Sequence, residues 1–122
     1  MEYQTAFLTI ATQDLETLIN FYKTLLEQTP EPYVPNKYAE FQLKGGLKLG
    51  IFQPKDTHQI EFNQPEKSAM SLCIEVSNLE SAIAQLSALG YPPPGEVVTA
   101  SHGKETYAYD PDGNRLILHQ IY

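Results

Sequence analysis

The two halves of this chain repeat the same order of helix-starting and apolar residues. Asp14 and Asn78, both of types that cap helix N-termini, stand 64 residues apart, and each precedes a segment with apolar side chains on one helical face. At this offset the residue type recurs at the pairs Leu15 and Leu79, Glu16 and Glu80, Ile19 and Ile83, and Leu25 and Leu89. The repeat predicts two similar units rather than one continuous fold.

Predicted strands surround both helices. Segments rich in β-forming residues precede the helices and hairpins follow them, with strands expected over 5–11, 38–43, 47–52, 71–76, 105–109 and 115–121. Gly-Gly at 45–46 and Asp-Gly at 112–113 favour the positive φ angles of tight hairpin turns. Each unit therefore consists of a strand, a helix and two or three further strands. Such a unit leaves one sheet face uncovered, so we expect the two to pack around a common core.

This order of elements defines an α+β fold class. We predict a single domain over 1–122, with a first βαβββ module at 1–56, a polar, proline-containing linker at 57–68 and a second βαβββ module at 69–122. A ferredoxin-like βαββαβ domain is the competing arrangement, but too many strands are predicted after the first helix.

Composition limits the possible partners. Fifteen acidic and eight basic residues give a net charge of −7, which disfavours nucleic acid and anionic membrane surfaces. The acidity indicates either general solubility or a cleft that attracts cations. The sequence has no long apolar run and no basic leader before an apolar stretch, so we expect a cytoplasmic protein.

Cys73 is the single cysteine of the chain and cannot form an internal disulfide. It lies in an alternating apolar segment, which favours a buried, unreactive thiol over a reactive one.

Two motifs resemble those of a known superfamily. They are the segment from Gln13 to Tyr22 and the turn Asp110-Pro111-Asp112-Gly113-Asn114, in this order and separated by the half-length repeat. Together they resemble the vicinal oxygen chelate superfamily, which includes glyoxalases, bleomycin resistance proteins and extradiol dioxygenases. The resemblance covers nearly the whole chain. It implies two βαβββ modules packed as a glyoxalase/bleomycin-resistance-type domain with a mixed, mainly antiparallel curved sheet.

The resemblance also shows where metal ligands are expected. Metal-using members carry ligands at four strand positions, which correspond here to Phe7, Gly50, Ser71 and Ile117. Divalent metals need about three histidine or carboxylate ligands, and none of these residues is of that type. His58, His102 and His119 fall in the linker, a loop and the last strand. We therefore expect no metal and no cofactor.

Strand alternation and the resemblance together predict which side chains line the cleft of such a domain. The predicted ligand-binding residues are Phe7, Thr9, Phe52, Ser71, Cys73, Tyr107, Tyr109, Ile117 and His119. Plain core packing is the alternative for the aromatic ones. Lys104, next to the predicted loop, is either a partner for an anionic ligand group or a solvated lysine.

His119 and a nearby carboxylate form the weak catalytic candidate. Glu75 or Glu105 beside His119 would make an acid–base pair that needs no metal. A histidine whose hydrogen bonds are simply satisfied near a strand end is the alternative.

These observations leave several functions open. The first is a metal-free, bleomycin-resistance-like protein that binds or sequesters a small aromatic or cationic molecule. The others are a metal-dependent lyase, isomerase or dioxygenase-type enzyme with atypical ligands, and a metal-independent enzyme that uses His119. The resemblance further implies a homodimer.

Overall fold

The structure, a computed structural model, describes all residues from 1 to 122. The chain divides into two compact units, Met1–Asn63 and Gln64–Tyr122. Each unit contains one α-helix and one four-stranded sheet. Neither helix has the length and apolar character that a membrane span requires.

The first unit places its strands in the order β1-β4-β3-β2. Its elements are β1 (Leu8–Ala11), α1 (Leu15–Leu26), β2 (Tyr33–Val34), β3 (Tyr38–Gln42) and β4 (Lys48–Phe52). β1 runs parallel to β4, and the other pairs are antiparallel. The short edge strand β2 is the first of three strands that follow the helix, which gives the βαβββ pattern.

The second unit repeats this arrangement with the order β5-β8-β7-β6. Its elements are β5 (Leu72–Glu75), α2 (Leu79–Leu89), β6 (Val98–Ala100), β7 (Gly103–Tyr109) and β8 (Arg115–Ile121). β5 is parallel to β8, and the remaining pairs are antiparallel. The predicted α+β class, with two βαβββ modules and mixed, mainly antiparallel sheets, is confirmed.

Both helices begin where the sequence predicts. The Asp14 side chain accepts a hydrogen bond from the Thr17 N–H, and the Asn78 side chain accepts one from the Ser81 N–H. α2 ends at Gly90, whose φ of 97° lies in the left-handed region that glycine adopts without strain. The N-caps therefore fix where both helices begin, and Gly90 fixes where α2 ends.

One face of each sheet is covered by the helix of the same unit. In the first unit Phe41, Leu49 and Ile51 are buried on the side of α1, where the Tyr22 and Phe41 rings lie 6.4 Å apart. In the second unit Leu116 and Leu118 are buried on the side of α2. Because strand side chains alternate, the intervening residues lie on the opposite face, which we call the open face.

Two short 3-10 helices, Asp56–Phe62 and Pro65–Lys67, lie in the segment predicted as a linker. Phe62 packs edge-on against Phe52, with ring centroids 5.5 Å apart. The division of the chain at 57–68 remains a prediction.

Candidate functional site

The open face of the second sheet carries three rows of side chains, aligned by strand register. Glu75, His119 and Glu105 form the first row, across β5, β8 and β7. The second row consists of Cys73, Ile117 and Tyr107, and the third pairs Arg115 with Tyr109 and has Ser71 beside it. The register thus brings together the six predicted ligand-binding residues of this unit and the two candidate acids Glu75 and Glu105.

His119 and Glu75 form a short side-chain contact on this face. The His119 Nδ1 atom lies 2.6 Å from the Glu75 Oε1 atom. His119 is only 6% exposed, whereas the Glu75 side chain is 59% exposed. Glu105 lies opposite His119 on the other side. The pair fixes the imidazole orientation and leaves most of the Glu75 carboxylate in solvent.

The other edge of the His119 ring is enclosed. The Nε2 atom is buried and has no hydrogen-bond partner. The His102 ring stacks on the His119 ring, with their centroids 5.0 Å apart and an angle of 19° between their planes. Gly103 lies so close that an added Cβ would be 3.0 Å from Nε2 and 2.3 Å from the Gln120 carbonyl oxygen. In this conformation Nε2 cannot meet a ligand on the open face.

Cys73 is exposed, so the prediction of a buried thiol is wrong. The alternation of Leu72-Cys73-Ile74-Glu75 turns the two aliphatic side chains towards the helix and the thiol towards the open face. Partial burial, followed by the nearby Glu75 and Glu105 carboxylates, raises the pKa of the Cys73 thiol. The thiol therefore lies within the electrostatic field of both acids.

Arg115 lies at the end of the open face opposite to Glu75 and Glu105. Its guanidinium donates to the Ser68 carbonyl oxygen at 2.7 Å and to the Ser71 Oγ atom at 3.2 Å. These bonds hold the side chain across β5. Sequence reasoning missed Arg115, although its position as the first residue after the hairpin turn placed it beside Tyr109.

The Asp110 carboxylate builds the turn that sets this register. Its Oδ1 atom accepts from the Asp112 and Asn114 N–H groups, and its Oδ2 atom accepts from the Asn114 side-chain amide. Gly113 adopts a φ of 93°. The acidic turn is therefore a structural feature that aligns β7 with β8.

The first unit carries a smaller polar cluster on its own open face. The Tyr38 hydroxyl donates to the Glu40 carboxylate at 2.8 Å, and the Gln42 amide donates to it at 2.7 Å. These bonds lower the pKa of Glu40, and burial together with the Glu40 bond raises the pKa of Tyr38 to about 12. Gly50, opposite Glu40, makes room for the Tyr38 ring: an added Cβ would lie 2.6 Å from its hydroxyl.

Sequence reasoning missed Tyr38 at this position. A glycine inside a strand signals that another group approaches the backbone closely, and Gly50 was the available signal. Strand alternation places the predicted ligand residues Thr9 and Phe52 on the open face of this sheet. Phe7 precedes β1 and is 45% exposed, Thr9 is exposed on β1, and Phe52 packs against Phe62.

The four residues expected at the family's metal positions do not offer the ligands that a divalent metal ion needs. Phe7, Gly50 and Ile117 offer no side-chain donor atom, and the Ser71 hydroxyl already accepts a bond from the cationic Arg115. No group of three or more histidine, cysteine or carboxylate side chains is arranged to hold an ion elsewhere. We therefore derive no chemistry through a metal.

Lys104 does not lie at the mouth of the open face. Its ammonium group bonds the Glu80 carboxylate of α2 at 2.7 Å. This bond lowers the pKa of Glu80. The alternation of β7 turns Lys104 towards the helix side, so the expectation that it contacts an anionic ligand group is not supported by its position.

Residues 7–119 match the family model described as a glyoxalase-like domain. The match covers most of the chain, so the protein belongs to the glyoxalase-like family of the vicinal oxygen chelate superfamily. No curated protein matches the chain in sequence.

Solved structures share the fold at low sequence identity. The glyoxalase/bleomycin resistance protein from Catenulispora acidiphila is 20% identical with a TM-score of 0.69, and the alignment covers 98% of this chain and 100% of that one. A bleomycin-binding protein solved with bleomycin is 19% identical with a TM-score of 0.64 and the same coverage. The fosfomycin resistance protein FosX from Listeria monocytogenes is 18% identical with a TM-score of 0.76, covering 100% of this chain and 96% of that one.

Proposed function

We propose that this protein binds a small, flat, cationic organic molecule on the open face of the second sheet, without a metal ion. The observation that supports this most strongly is the placement of two carboxylates, Glu75 and Glu105, on either side of His119 and next to the exposed Tyr107 ring.

The chemistry of this face suits such a ligand. Tyr107 is 49% exposed and presents ring area for stacking. A delocalised cation gains from the ring face and from the negative field of the two acids. Cys73 and Ile117 add apolar contact in the second row. The ligand is therefore held by stacking and apolar area, and the charges orient it.

The relatives are consistent with binding of organic molecules by this fold. One of them was solved with bleomycin, and another is a fosfomycin resistance protein. Both are below 25% identity, so neither identifies the ligand of this chain. The shared fold is compatible with the proposal, and the residues of the open face carry it.

Cys73 provides a direct assay, because it is the single cysteine and lies on the proposed face. The rate of thiol modification is measured with increasing 1-methylquinolinium, a flat cation, and with its neutral naphthalene analogue. We expect saturable protection by the cation and weaker protection by the neutral analogue. Equal protection by both, or none by either, would exclude the proposal.

Matched variants assign the effect to the two acids. Glu75→Gln and Glu105→Gln should each weaken cation binding about two- to fivefold, the range expected for exposed charge pairs. Glu61→Gln, which removes an exposed acid in the first unit, makes the same change of net charge and should leave binding unchanged. An equal loss in all three variants would indicate non-specific attraction to an acidic protein.

A metal-independent enzyme is the second candidate. The 2.6 Å contact between His119 and Glu75 supports it, since a carboxylate-oriented imidazole is a common general base. The enclosed Nε2 atom opposes it unless His102 moves away. This candidate predicts that His119→Ala abolishes turnover of a bound ligand and leaves its binding nearly intact. An unchanged rate of turnover would rule it out.

A further inference from the structure

The open face of the second sheet has opposite charges at its two ends. Glu75 and Glu105 lie in the first row, and Arg115 lies in the third, two rows further along the same strands. We propose that the ligand is bipolar, with opposite charges at its two ends. This inference rests on the proposed function. The cationic group of the ligand lies at the acidic row, its flat apolar body lies over the second row, and an anionic oxygen group such as a carboxylate meets Arg115.

Strand geometry gives the length of this ligand. Side chains on one face recur every second residue, so His119, Ile117 and Arg115 are spaced by about 6–7 Å each. The acidic row and Arg115 are therefore about 13 Å apart along β8. Two linked aromatic rings with charged groups at both ends match this separation, whereas a single ring with adjacent charges does not.

Arg115 is suited to the anionic end. It is the only arginine in the chain, and its guanidinium is oriented by the Ser68 carbonyl and the Ser71 hydroxyl. Both acceptors are uncharged, so they position the group without neutralising its charge. A guanidinium has five N–H donors, which leaves donors for a carboxylate.

The second row separates the two charged ends with apolar surface. Ile117 is half-buried at its centre, between Cys73 on β5 and Tyr107 on β7. Tyr109 continues the aromatic side next to Arg115 and is also half-buried. A ligand lying along β8 thus meets carboxylates, an aliphatic and aromatic strip, and a guanidinium in this order.

The test uses two probes that differ at one end. The first is a biphenyl with an aminomethyl group and a carboxylate at opposite ends, and the second replaces the carboxylate by an uncharged carboxamide. Affinity is measured by calorimetry and by protection of Cys73. We expect the carboxylate probe to bind roughly fivefold more tightly or better, because a charged hydrogen bond is added.

The ratio of the two probe affinities is then measured in variants of the protein. Arg115→Gln should abolish the advantage of the carboxylate, and Arg115→Lys, which keeps charge but loses the planar fork, should retain part of it. Lys104→Gln removes a cation on the helix side of the sheet and should leave the ratio unchanged. The two probes are compared within each variant. A modest loss of stability therefore affects both affinities alike and leaves their ratio unchanged.

The outcomes separate this inference from the proposed function. Equal binding of both probes to the natural chain would overturn the bipolar ligand and leave the cation site standing. A carboxylate advantage that survives in Arg115→Gln would overturn the role of Arg115. If neither probe binds, the bipolar ligand is overturned, and if 1-methylquinolinium also fails to protect Cys73, the cation site is overturned as well.

Discussion

At the scale of single residues, a missing side chain determines the open face of the first sheet. Gly50 stands where metal-using relatives are expected to carry a ligand, and the Tyr38 ring lies over it and bonds Glu40. The glycine is therefore needed for the position of a neighbouring aromatic ring. A larger residue at this position would have to displace the phenol.

We predict that Gly50→Ala lowers the free energy of unfolding by about 1–3 kcal/mol, since the added methyl group overlaps Tyr38. The pKa of Tyr38, raised to about 12, should fall as its bond to Glu40 is lost. Chemical denaturation and ultraviolet titration of the phenols measure the two effects. Gly95→Ala, which has no atom within 4 Å of the new Cβ, should leave both unchanged. Equal effects of the two substitutions would contradict the steric account.

The reactivity of the Cys73 thiol depends on its surroundings on the open face. Partial burial and the Glu75 and Glu105 carboxylates raise its pKa, so less thiolate is present at a given pH. Alkylation by iodoacetamide near pH 8 should be slower than that of a free cysteine. Glu75→Gln and Glu105→Gln should both accelerate it, and Glu61→Gln should not. A pH profile with its midpoint below that of free cysteine would disprove the assignment.

At the scale of elements, the two helix caps share one geometry but differ in charge. Hydrogen bonds from the Thr17 side chain and backbone lower the pKa of Asp14, whereas Asn78 does not titrate. Because the folded-state pKa is lowered, Asp14 contributes to the free energy of unfolding at pH values above its unfolded-state pKa. This contribution is lost as the pH falls through the folded-state pKa.

Asp14→Asn should therefore weaken the pH dependence of the free energy of unfolding at pH values below 3.8, the ordinary pKa of an aspartate carboxyl. The reciprocal change Asn78→Asp should strengthen that dependence, because it introduces a titrating cap at the equivalent position. Urea denaturation over a series of acidic pH values measures both. Identical pH profiles for the natural chain and the two variants would refute this role of the caps.

The sequence predicts the elements well because their signals are local. The caps at Asp14 and Asn78 and the glycine hairpins each depend on a few neighbouring residues. The exposure of Cys73, the ring of Tyr38 over Gly50 and the stacking of His102 on His119 were not predicted. These features depend on which residues face each other across strands, and register is set by the whole sheet.

At the scale of the whole molecule, the repeat produces two units of the same topology with different open faces. The first carries the Tyr38–Glu40–Gln42 cluster, and the second carries the acidic, apolar and basic rows. Both units bury aliphatic residues between sheet and helix, Leu49 and Ile51 in the first and Leu116 and Leu118 in the second. The residues on the two open faces differ in type, and under the proposed function those of the second unit set the ligand chemistry.

We propose that the protein forms a homodimer, as the family resemblance implies. Several large apolar side chains on edge and terminal segments are exposed, including Val98, Ile121 and Tyr122. Such exposed surface is typical of association sites. Sedimentation equilibrium should give twice the chain mass of 13.7 kDa. A single species of the chain mass at high micromolar concentration would contradict this proposal.

We propose that Phe7, Gly50, Ser71 and Ile117, the residues expected at the family's metal positions, form no metal centre. The most direct test is the metal content of protein purified without an affinity tag or chelator, measured again after incubation with zinc, nickel and manganese and removal of excess ion. We expect far less than one ion per chain in every case, with binding of the organic cation unaffected by chelator. About one ion per chain, retained through the removal step, would contradict it and favour a metal-dependent enzyme.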